Sequence, residues 1–302
     1  MRALVTGATG FVGRRLLERL DRPIVLSRDA NRARQSLAKY DTTVLPWNPM
    51  ADQPPPLEAF EGVDTVFNLA GEPVAEGRWT KAKKHRIRES RVAGTHHLVQ
   101  AIERLTHRPL VLVSASAVGY YGSRGGEILT ESATSGNDFL AEVCAAWEEK
   151  ARTADGLGVR VVYLRTGIVL GPHGGALKKM LPPFKLGLGG PLGSGRQWVP
   201  WIHLNDLVEM YLFAAAHVDL NGPVNGVAPN PVTNKQFTKS LAAAVHRPAI
   251  LPVPYPAVRI AFGEIAKVLF GSQRAVPSAA LAHGFKFRYE TLDAALRGIL
   301  QP

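Results

Sequence analysis

Three glycines, at positions 7, 10 and 13, lie between an apolar run, Ala3-Leu4-Val5, and a segment in which Phe11, Val12, Leu16, Leu17 and Leu20 recur at helical spacing. That pattern reads as strand, tight turn and helix. Glycine permits the sharp bend, lets backbone approach a ligand closely and lets the helix pack against the strand. The helix start that follows presents free N–H groups and partial positive charge, which suit an anion such as a pyrophosphate. The spacing is G-x-x-G-x-x-G rather than G-x-G-x-x-G, and the same physical reasons apply. Any tight turn uses glycine, so the pattern gains its meaning from its place at the first strand-to-helix junction of an alternating chain.

The alternation continues. Ile24-Val25-Leu26, Val44-Leu45, Val63-Asp64-Thr65-Val66-Phe67, Leu110-Val111-Leu112-Val113 and Val159 to Leu164 are apolar runs separated by helical patterns. Continuous runs of this kind mark parallel strands covered on both faces, and so predict an α/β, doubly wound parallel sheet of Rossmann type. With 302 residues, 46% of them hydrophobic, the chain can bury one large core beside a smaller one. Pro54-Pro55-Pro56 falls in the crossover between the third and fourth strands and reads as a stiffened loop. Beyond Leu170 glycine and proline become dense, which predicts a Rossmann domain over 1–170, completed by parts of 201–230, and a smaller C-terminal substrate domain over 171–302. In the tail, Phe285 to Leu300 reads as a strand and a short helix, with Thr291 as N-cap and Leu292, Ala295, Leu296 and Ile299 buried.

Composition narrows the function classes. Cys144 is the single cysteine, so neither an intramolecular disulfide nor a cysteine-held metal is available. No metal site is expected. A reducing cytosol is the expected compartment, since the first residues lack a secretory pattern. Apolar stretches such as Leu212 to Ala216 are far shorter than the roughly 20 residues that span a bilayer. The net charge of +11 raises nucleic acid as a partner, but the positive charge gathers at Arg28 to Arg34 and Lys81 to Arg91 without a nucleic-acid module. A solvated basic helix face accounts for such runs, and neither nucleic acid nor membrane is expected as a partner.

The second strand ends in Ser27-Arg28, where a site selective for NAD offers a carboxylate to the ribose. A hydroxyl and a guanidinium suit a 2′-phosphate, because arginine grips phosphate oxygens with a fixed fork of donors. The expected cofactor is therefore NADP(H), although Asp29 keeps NAD open. In the long helix after the fourth strand, Arg91 and Thr95 share a stripe with Ile87, Leu98, Ile102 and Leu105. A charge on a buried stripe needs a partner, either a cofactor phosphate or a carboxylate such as Glu72.

Thr6 to Gly13, Asn68-Leu69-Ala70-Gly71 and Ser114-Ala115-Ser116 resemble, in order and spacing, the extended short-chain dehydrogenase/reductases. Gly71-Glu72-Pro73, Arg78-Trp79, Ser90-Arg91, Ser116 to Tyr121, Leu164 to Gly171, Pro182 to Gly190, Trp201-Ile202-His203 and Gly271-Ser272-Gln273-Arg274 resemble the atypical epimerase-family group, the YfcH-like proteins. The resemblance covers almost the whole chain. It implies NADP(H) bound along Gly7, Thr9, Gly10, Phe11, Val12 and Gly13, with Ser27 and Arg28 at the 2′-phosphate. It further implies Leu69, Ala70, Gly71, Glu72 and Ser114 along the cofactor, Arg91 near its phosphates, and Ile168 or Val169 near the nicotinamide.

Members of that superfamily use a tyrosine as acid/base with a lysine four residues later. No tyrosine here has a lysine at that distance. Registered on the superfamily pattern, the helix from Phe139 carries Leu140 and Cys144 at those two positions, and neither can move the proton. Ser116 remains as a candidate donor to a substrate carbonyl, with Tyr120 or Tyr121 as an acid; aromatic packing is the other reading of the tyrosines. His203 reads either as a pocket residue or as a hydrogen-bonded histidine leading into a helix. Two functions follow: an NADP(H)-dependent oxidoreductase or epimerase acting on a small-molecule substrate, or a non-catalytic or barely catalytic NADP(H)-binding protein that senses the cofactor or serves a partner; the partner left open is a second copy in a homodimer or an unidentified protein.

Overall fold

The computed structural model of the protein describes residues 1–172 and 174–301. In chain order the first half runs β1 (Ala3–Thr6), α1 (Phe11–Leu17), β2 (Ile24–Ser27), α2 (Ala30–Ser36), β3 (Thr43–Pro46), β4 (Thr65–Asn68), α3 (Lys81–Glu103), β5 (Val111–Ala117), β6 (Ile128–Leu129), α4 (Phe139–Arg152) and β7 (Arg160–Thr166). The second half runs β8 (Ile168–Leu170), α5 (Gly175–Lys185), β9 (Trp198–Val199), β10 (Trp201–His203), α6 (Leu204–Ala216), β11 (Gly222–Gly226), β12 (Val232–Thr233), α7 (Asn234–Ala244), α8 (Tyr255–Phe262), α9 (Ile265–Leu269), β13 (Arg274–Ala275), α10 (Ser278–Ala282) and α11 (Leu292–Leu300).

Seven strands form one sheet in the order β11-β7-β5-β4-β1-β2-β3, every pair parallel. Successive side chains leave a strand on opposite faces, and the two cores follow from that. Ala3, Val5, Val111, Val113, Val162 and Leu164 pack with Leu16 and Leu17 of α1 and with α6 from Leu204 to Ala214. Leu4, Leu112 and Val161 point the other way, against Leu98, Ala101 and Ile102 of α3 and Ala151 of α4. The continuous apolar runs of the sequence are thus strands with no solvent face. β11 closes one edge, so residues 204–226 belong to this central layer although they follow the start of the glycine-rich region.

A third core joins Leu177 and Phe184 of α5, Trp201, Phe237 and Leu241 of α7, and Leu292, Ala295, Leu296 and Ile299 of α11. Thr291 caps α11 by accepting from the Ala294 N–H. The strand expected from Phe285 does not form. Instead the N–H groups of Arg288 and Tyr289 donate to the two carboxylate oxygens of Asp206, both at 2.9 Å. A carboxylate that accepts both donors removes the need for a partner strand. The crossover after Pro54-Pro55-Pro56 is a short 3-10 turn at Leu57–Phe60. Among the described residues, no helix is long and apolar enough to cross a membrane.

Candidate functional site

The strand order reverses between β1 and β4, the point at which an open α/β sheet offers a ligand crevice beyond the C-terminal ends of its strands. Gly7 sits there with φ +70°, and a Cβ on it would lie 2.6 Å from the carbonyl carbon of Leu69 and 2.8 Å from the Ala70 nitrogen. Only glycine fits. Thr6 donates its hydroxyl to Asn68 Oδ1 at 2.8 Å and accepts from the N–H groups of Leu69 and Ala70 at 3.1 and 3.0 Å. Asn68 Nδ2 donates in turn to Thr95 Oγ1 at 2.8 Å and to Ser114 Oγ at 3.3 Å, and Trp147 Nε1 donates to the same threonine at 2.9 Å. This buried network welds β1, β4, β5, α3 and α4 into one floor, and it uses the Ser114 hydroxyl beneath the crevice. It also gives Thr95 the partner that its place in an apolar stripe demanded.

Gly10 is the N-cap of α1 and brings no side chain to its first-turn N–H groups. A helix start without a side-chain cap leaves donors for an anion. Arg14 holds the turn from behind, donating from Nε to the Thr9 carbonyl at 3.0 Å and from Nη1 to the Ser36 carbonyl at 2.9 Å. A Cβ on Gly13 would lie 2.7 Å from Ala8 Cα and would collide with the Gly7 carbonyl oxygen. The Phe11 ring is covered by Gly171, Gly174 and Gly175, each too close to it for a side chain, and Gly175 also approaches the Val169 carbonyl. The loop after β8 therefore brings Phe11 and Val169 together, next to Val12 and Ile168.

At the end of β2, Arg28 is exposed and, among the described residues, has no hydrogen-bond or ion-pair partner. With Asp29, Asn31, Arg34 and Pro46 it lines an open depression of about 550 Å³. The Asp29 carboxylate, which could have served a ribose, accepts the Arg32 N–H at 2.9 Å as the N-cap of α2. Arg34 is pinned by its bonds to Asn31 and to the Val44 carbonyl, and Ser27 Oγ donates to the Asp29 carbonyl. Between Arg28 and Arg34, Arg28 is the one left without a hydrogen-bond or ion-pair partner among the described residues.

Arg91 does not take the Glu72 carboxylate, one of the two partners that the sequence offered it. Arg91 Nη1 donates to the backbone carbonyls of Glu72 and Ile87, both at 3.0 Å, and its guanidinium lies 5.2 Å from the centre of the Trp147 ring. Gly71 must be small because a Cβ there would be 2.9 Å from Arg91 Cζ. Burial draws the Arg91 guanidinium below its ordinary value. The Glu72 carboxylate is taken by Lys83 at 2.8 Å, with Arg86 beside it, and is held below its ordinary value by the Lys83 hydrogen bond. Lys83 is buried, so the basic run from Lys81 to Arg91 is only partly a solvated face.

At the C-terminal end of β5 the candidate reaction groups have other commitments. Ser116 donates to Glu148 Oε1 at 2.6 Å; Arg165 clamps the same carboxylate from Nε at 2.9 Å and from Nη2 at 2.8 Å. Arg165 Nη1 reaches Tyr121 Oη and the Glu131 carbonyl, both at 3.1 Å, and Tyr121 donates to Asn225 Oδ1 at 2.7 Å. Asn225 Nδ2 continues to the carbonyls of Leu129 and Val276. Ser116 and Tyr121 are buried in this chain of bonds rather than open to a substrate carbonyl. Burial pushes the Tyr121 phenol up to about 12. Burial alone would lower the Arg165 guanidinium, but Glu148 outweighs it and holds the group above its ordinary value. Tyr120 is half-buried, with the Arg165 guanidinium 3.5 Å from its ring centre.

Leu140 and Cys144 do face this turn: a Cβ on Gly119 would lie 3.3 Å from Leu140 Cβ and 3.9 Å from Cys144 Sγ. Burial, followed by the charge of Glu148, pushes the Cys144 thiol up to about 12, so it is neither a base nor a thiolate. His203 caps α6, accepting the Asn205 N–H on Nδ1 at 3.0 Å, and stacks on Tyr289 at 3.8 Å between centres. Burial, with Arg288 and Arg15 nearby, lowers it to about 4. Of its two readings, the structural one holds. Among the described residues, no group of three or more His, Cys, Asp or Glu could hold a metal ion.

Glu148, Arg165, Asn225 and Glu131 were missed by sequence reasoning. Arg165 carried a signal: it interrupts the apolar strand from Val161, and a charge there requires a partner.

A family model described as the NAD dependent epimerase/dehydratase family matches residues 3–226, and one described as a domain of unknown function matches residues 253–299. The chain is 42% identical over 307 residues to the "epimerase family protein SDR39U1 homolog, chloroplastic" of Arabidopsis thaliana, spanning 100% of this chain and 87% of the relative. It is 38% identical over 305 residues to the epimerase family protein YfhF of Bacillus subtilis, spanning 99% and 98%. A crystal structure of the human epimerase family protein SDR39U1 (isoform 2) with NADPH superimposes with a TM-score of 0.89 at 34% identity, covering 100% of this chain and 99% of that one.

Proposed function

Because the chain belongs to the NAD dependent epimerase/dehydratase family, as the match over residues 3–226 establishes, we propose that it binds NADP(H) in the crevice between β1 and β4 and does so without tyrosine-and-lysine proton transfer. The observation that carries the cofactor choice is the contrast at the end of β2. Asp29 is occupied as a helix cap while Arg28 stands free beside an open depression. A 2′-phosphate there would meet the Arg28 guanidinium, while the Asp29 carboxylate that lines the same depression is engaged by the Arg32 N–H. The residues fit the rest of the dinucleotide, because the Gly7 backbone closes on Leu69 and Ala70 with no room for a Cβ and the α1 N-terminus is uncapped by side chains. Phe11, Val12, Ile168 and Val169 flank the path that the nicotinamide would take. The human relative solved with NADPH supports the same reading.

When bound, NADP(H) supplies a hydride donor or acceptor. Leu140 and Cys144 cannot supply the accompanying proton, and the hydroxyls of Ser116 and Tyr121 already serve Glu148 and Asn225. Cofactor binding is therefore the function that the geometry supports best. A second reading, an oxidoreductase or epimerase with a rearranged acid, is favoured by one observation: Tyr120 is half-buried at the end of β5 beside Arg165.

Steady-state NADPH oxidation measured across a panel of carbonyl compounds and nucleotide sugars separates the two. Cofactor binding with no turnover is the expected result. Turnover that Tyr120→Phe removes, with NADPH affinity unchanged, would establish the second reading instead.

A further inference from the structure

A helix on a protein surface buries an apolar stripe and turns polar groups to solvent. The pair α8–α9 does not divide its residues in that way. Val258, Ile265 and Ala266 are buried, yet Ala257, Ala261, Val268 and Leu269 are exposed, with Ile260 at 75% and Phe262 at 50%. Helices that are apolar all round need cover on the outer side as well.

A second apolar group adjoins the first. Residues 185–193 run along residues 247–253: Arg247 Nε donates to the Lys185 carbonyl at 3.2 Å, and Val253 donates its N–H to the Pro191 carbonyl at 2.8 Å and accepts the Gly193 N–H at 2.9 Å. On this pair of loops Leu186 and Leu188 are both 73% exposed, Ile250 80% and Leu251 79%. A Cβ on Gly193 would lie 3.0 Å from Phe270 Cε1, and the Phe270 ring stands edge-on to Tyr255 with centres 5.0 Å apart, so the loops and α8–α9 are neighbours. Apolar side chains scattered singly over a surface need no explanation, whereas a group of this size marks a docking face.

Charge identifies what covers it. Residues 174–190 and 245–270 carry Lys178, Lys179, Lys185, Arg247, Arg259 and Lys267, all exposed, against one carboxylate, Glu264, which Lys84 already holds. A second copy of the chain, docked about a two-fold axis, would set this cationic rim against itself. An anionic surface matches it instead. The apolar side chains are mostly aliphatic and stand about three-quarters clear of the protein, as side chains that enter hydrocarbon do, rather than lining a pocket for a partner's anchor residue. The expectation of no membrane partner came from the shortness of the apolar stretches, which bears on crossing a bilayer and not on lying against one.

We propose that α8–α9 and the adjoining loops at 186–188 and 250–251 form a docking face for an anionic lipid bilayer. The apolar side chains enter the acyl boundary and the surrounding lysines and arginines meet the head groups. The proposal is independent of the cofactor reading.

The test is sedimentation of the full chain with vesicles of phosphatidylcholine alone and of phosphatidylcholine and phosphatidylglycerol in equal parts. Tighter binding to the mixed vesicles is expected. Ile260→Ser combined with Phe262→Ser should weaken that binding at least about ten-fold, because both side chains withdraw apolar area from the acyl boundary. Lys185→Glu combined with Arg247→Glu should also weaken it at least about ten-fold, through repulsion from the head groups. All four side chains are exposed, and equal urea midpoints for the parent and both variants show that the fold is intact. In Phe262→Trp, mixed vesicles should shift the tryptophan emission further to the blue than in the parent, which reports insertion rather than adsorption. Binding to the mixed vesicles that the serine pair leaves unchanged is adsorption through net charge and overturns the proposal. No binding to the mixed vesicles also overturns it, and leaves an acidic protein surface as the occupant of this face.

Discussion

Replacing Glu148 by glutamine strikes the group on which Ser116 and Arg165 converge. The Glu148 and Arg165 side chains are 10% and 4% exposed, so solvent screens their attraction little. Glutamine keeps the shape but leaves a buried guanidinium without its counter-charge, a change that costs about 3–5 kcal/mol when one partner of a buried pair is removed. Arg165 keeps its bonds to Tyr121 and the Glu131 carbonyl, which places the expectation near the lower end, about 3 kcal/mol. Ser116→Ala removes one hydrogen bond to a charged acceptor while both Arg165 bonds remain, for about 1.5 kcal/mol. Combining Glu148→Gln with Arg165→Met removes both charges, and its cost should fall short of the sum of the single changes by about 2 kcal/mol. Urea denaturation at neutral pH, followed by tryptophan fluorescence with midpoint and slope both fitted, measures the parent, the three single variants and the double variant. A Glu148→Gln protein within about 1 kcal/mol of the parent, or strictly additive costs, would refute the structural reading of Ser116 and its network.

Two other outcomes follow from the geometry. His203 is depressed from 6.5 to about 4, with burial as the main cause; its neutral form is the one that the fold favours, so its contribution is present above pH 6.5 and is lost as pH falls through 4, in total about 3 kcal/mol. Denaturation at pH 7 and pH 4 should show a smaller loss for His203→Asn, which retains a capping oxygen and does not titrate, whereas an equal loss in the two proteins would exclude His203 as the source. Gly13→Ala drives a methyl group against the Gly7 carbonyl and Ala8; NADPH binding should weaken at least about ten-fold with the turn displaced, and unchanged affinity would show that the turn does not hold the cofactor.

Six strands of the central sheet, β1 to β5 and β7, were legible because each carries an apolar run, and a turn needing a left-handed residue at Gly7 leaves few alternatives; β11, Gly-Pro-Val-Asn-Gly, carries no such run. Thr291 and the stripe from Leu292 were legible for the same local reasons. Less local features were not. The strand expected at Phe285 was displaced by Asp206, about eighty positions away, and the partners of Ser116 and Tyr121 lie 32 and 104 positions distant. Periodicity cannot report such bonds. The reasoning that a charge on an apolar stripe needs a partner found Arg91 and offered it a cofactor phosphate or the Glu72 carboxylate; the chain gives it carbonyl oxygens, and Lys83 takes the carboxylate. Applied to Arg165, the same rule would have pointed towards Glu148.

The dissociation constants of NADPH and NADH, measured side by side by calorimetry on the parent chain and on Arg28→Ala, test the central claim most directly. The account predicts that the parent binds NADPH at least about ten-fold more tightly than NADH. It also predicts that Arg28→Ala weakens NADPH about 10- to 100-fold, the loss of a charge-assisted contact of about 1.5–3 kcal/mol, and leaves NADH unchanged. Equal affinity of the parent for the two cofactors, or a loss that Arg28→Ala imposes on both alike, would contradict it.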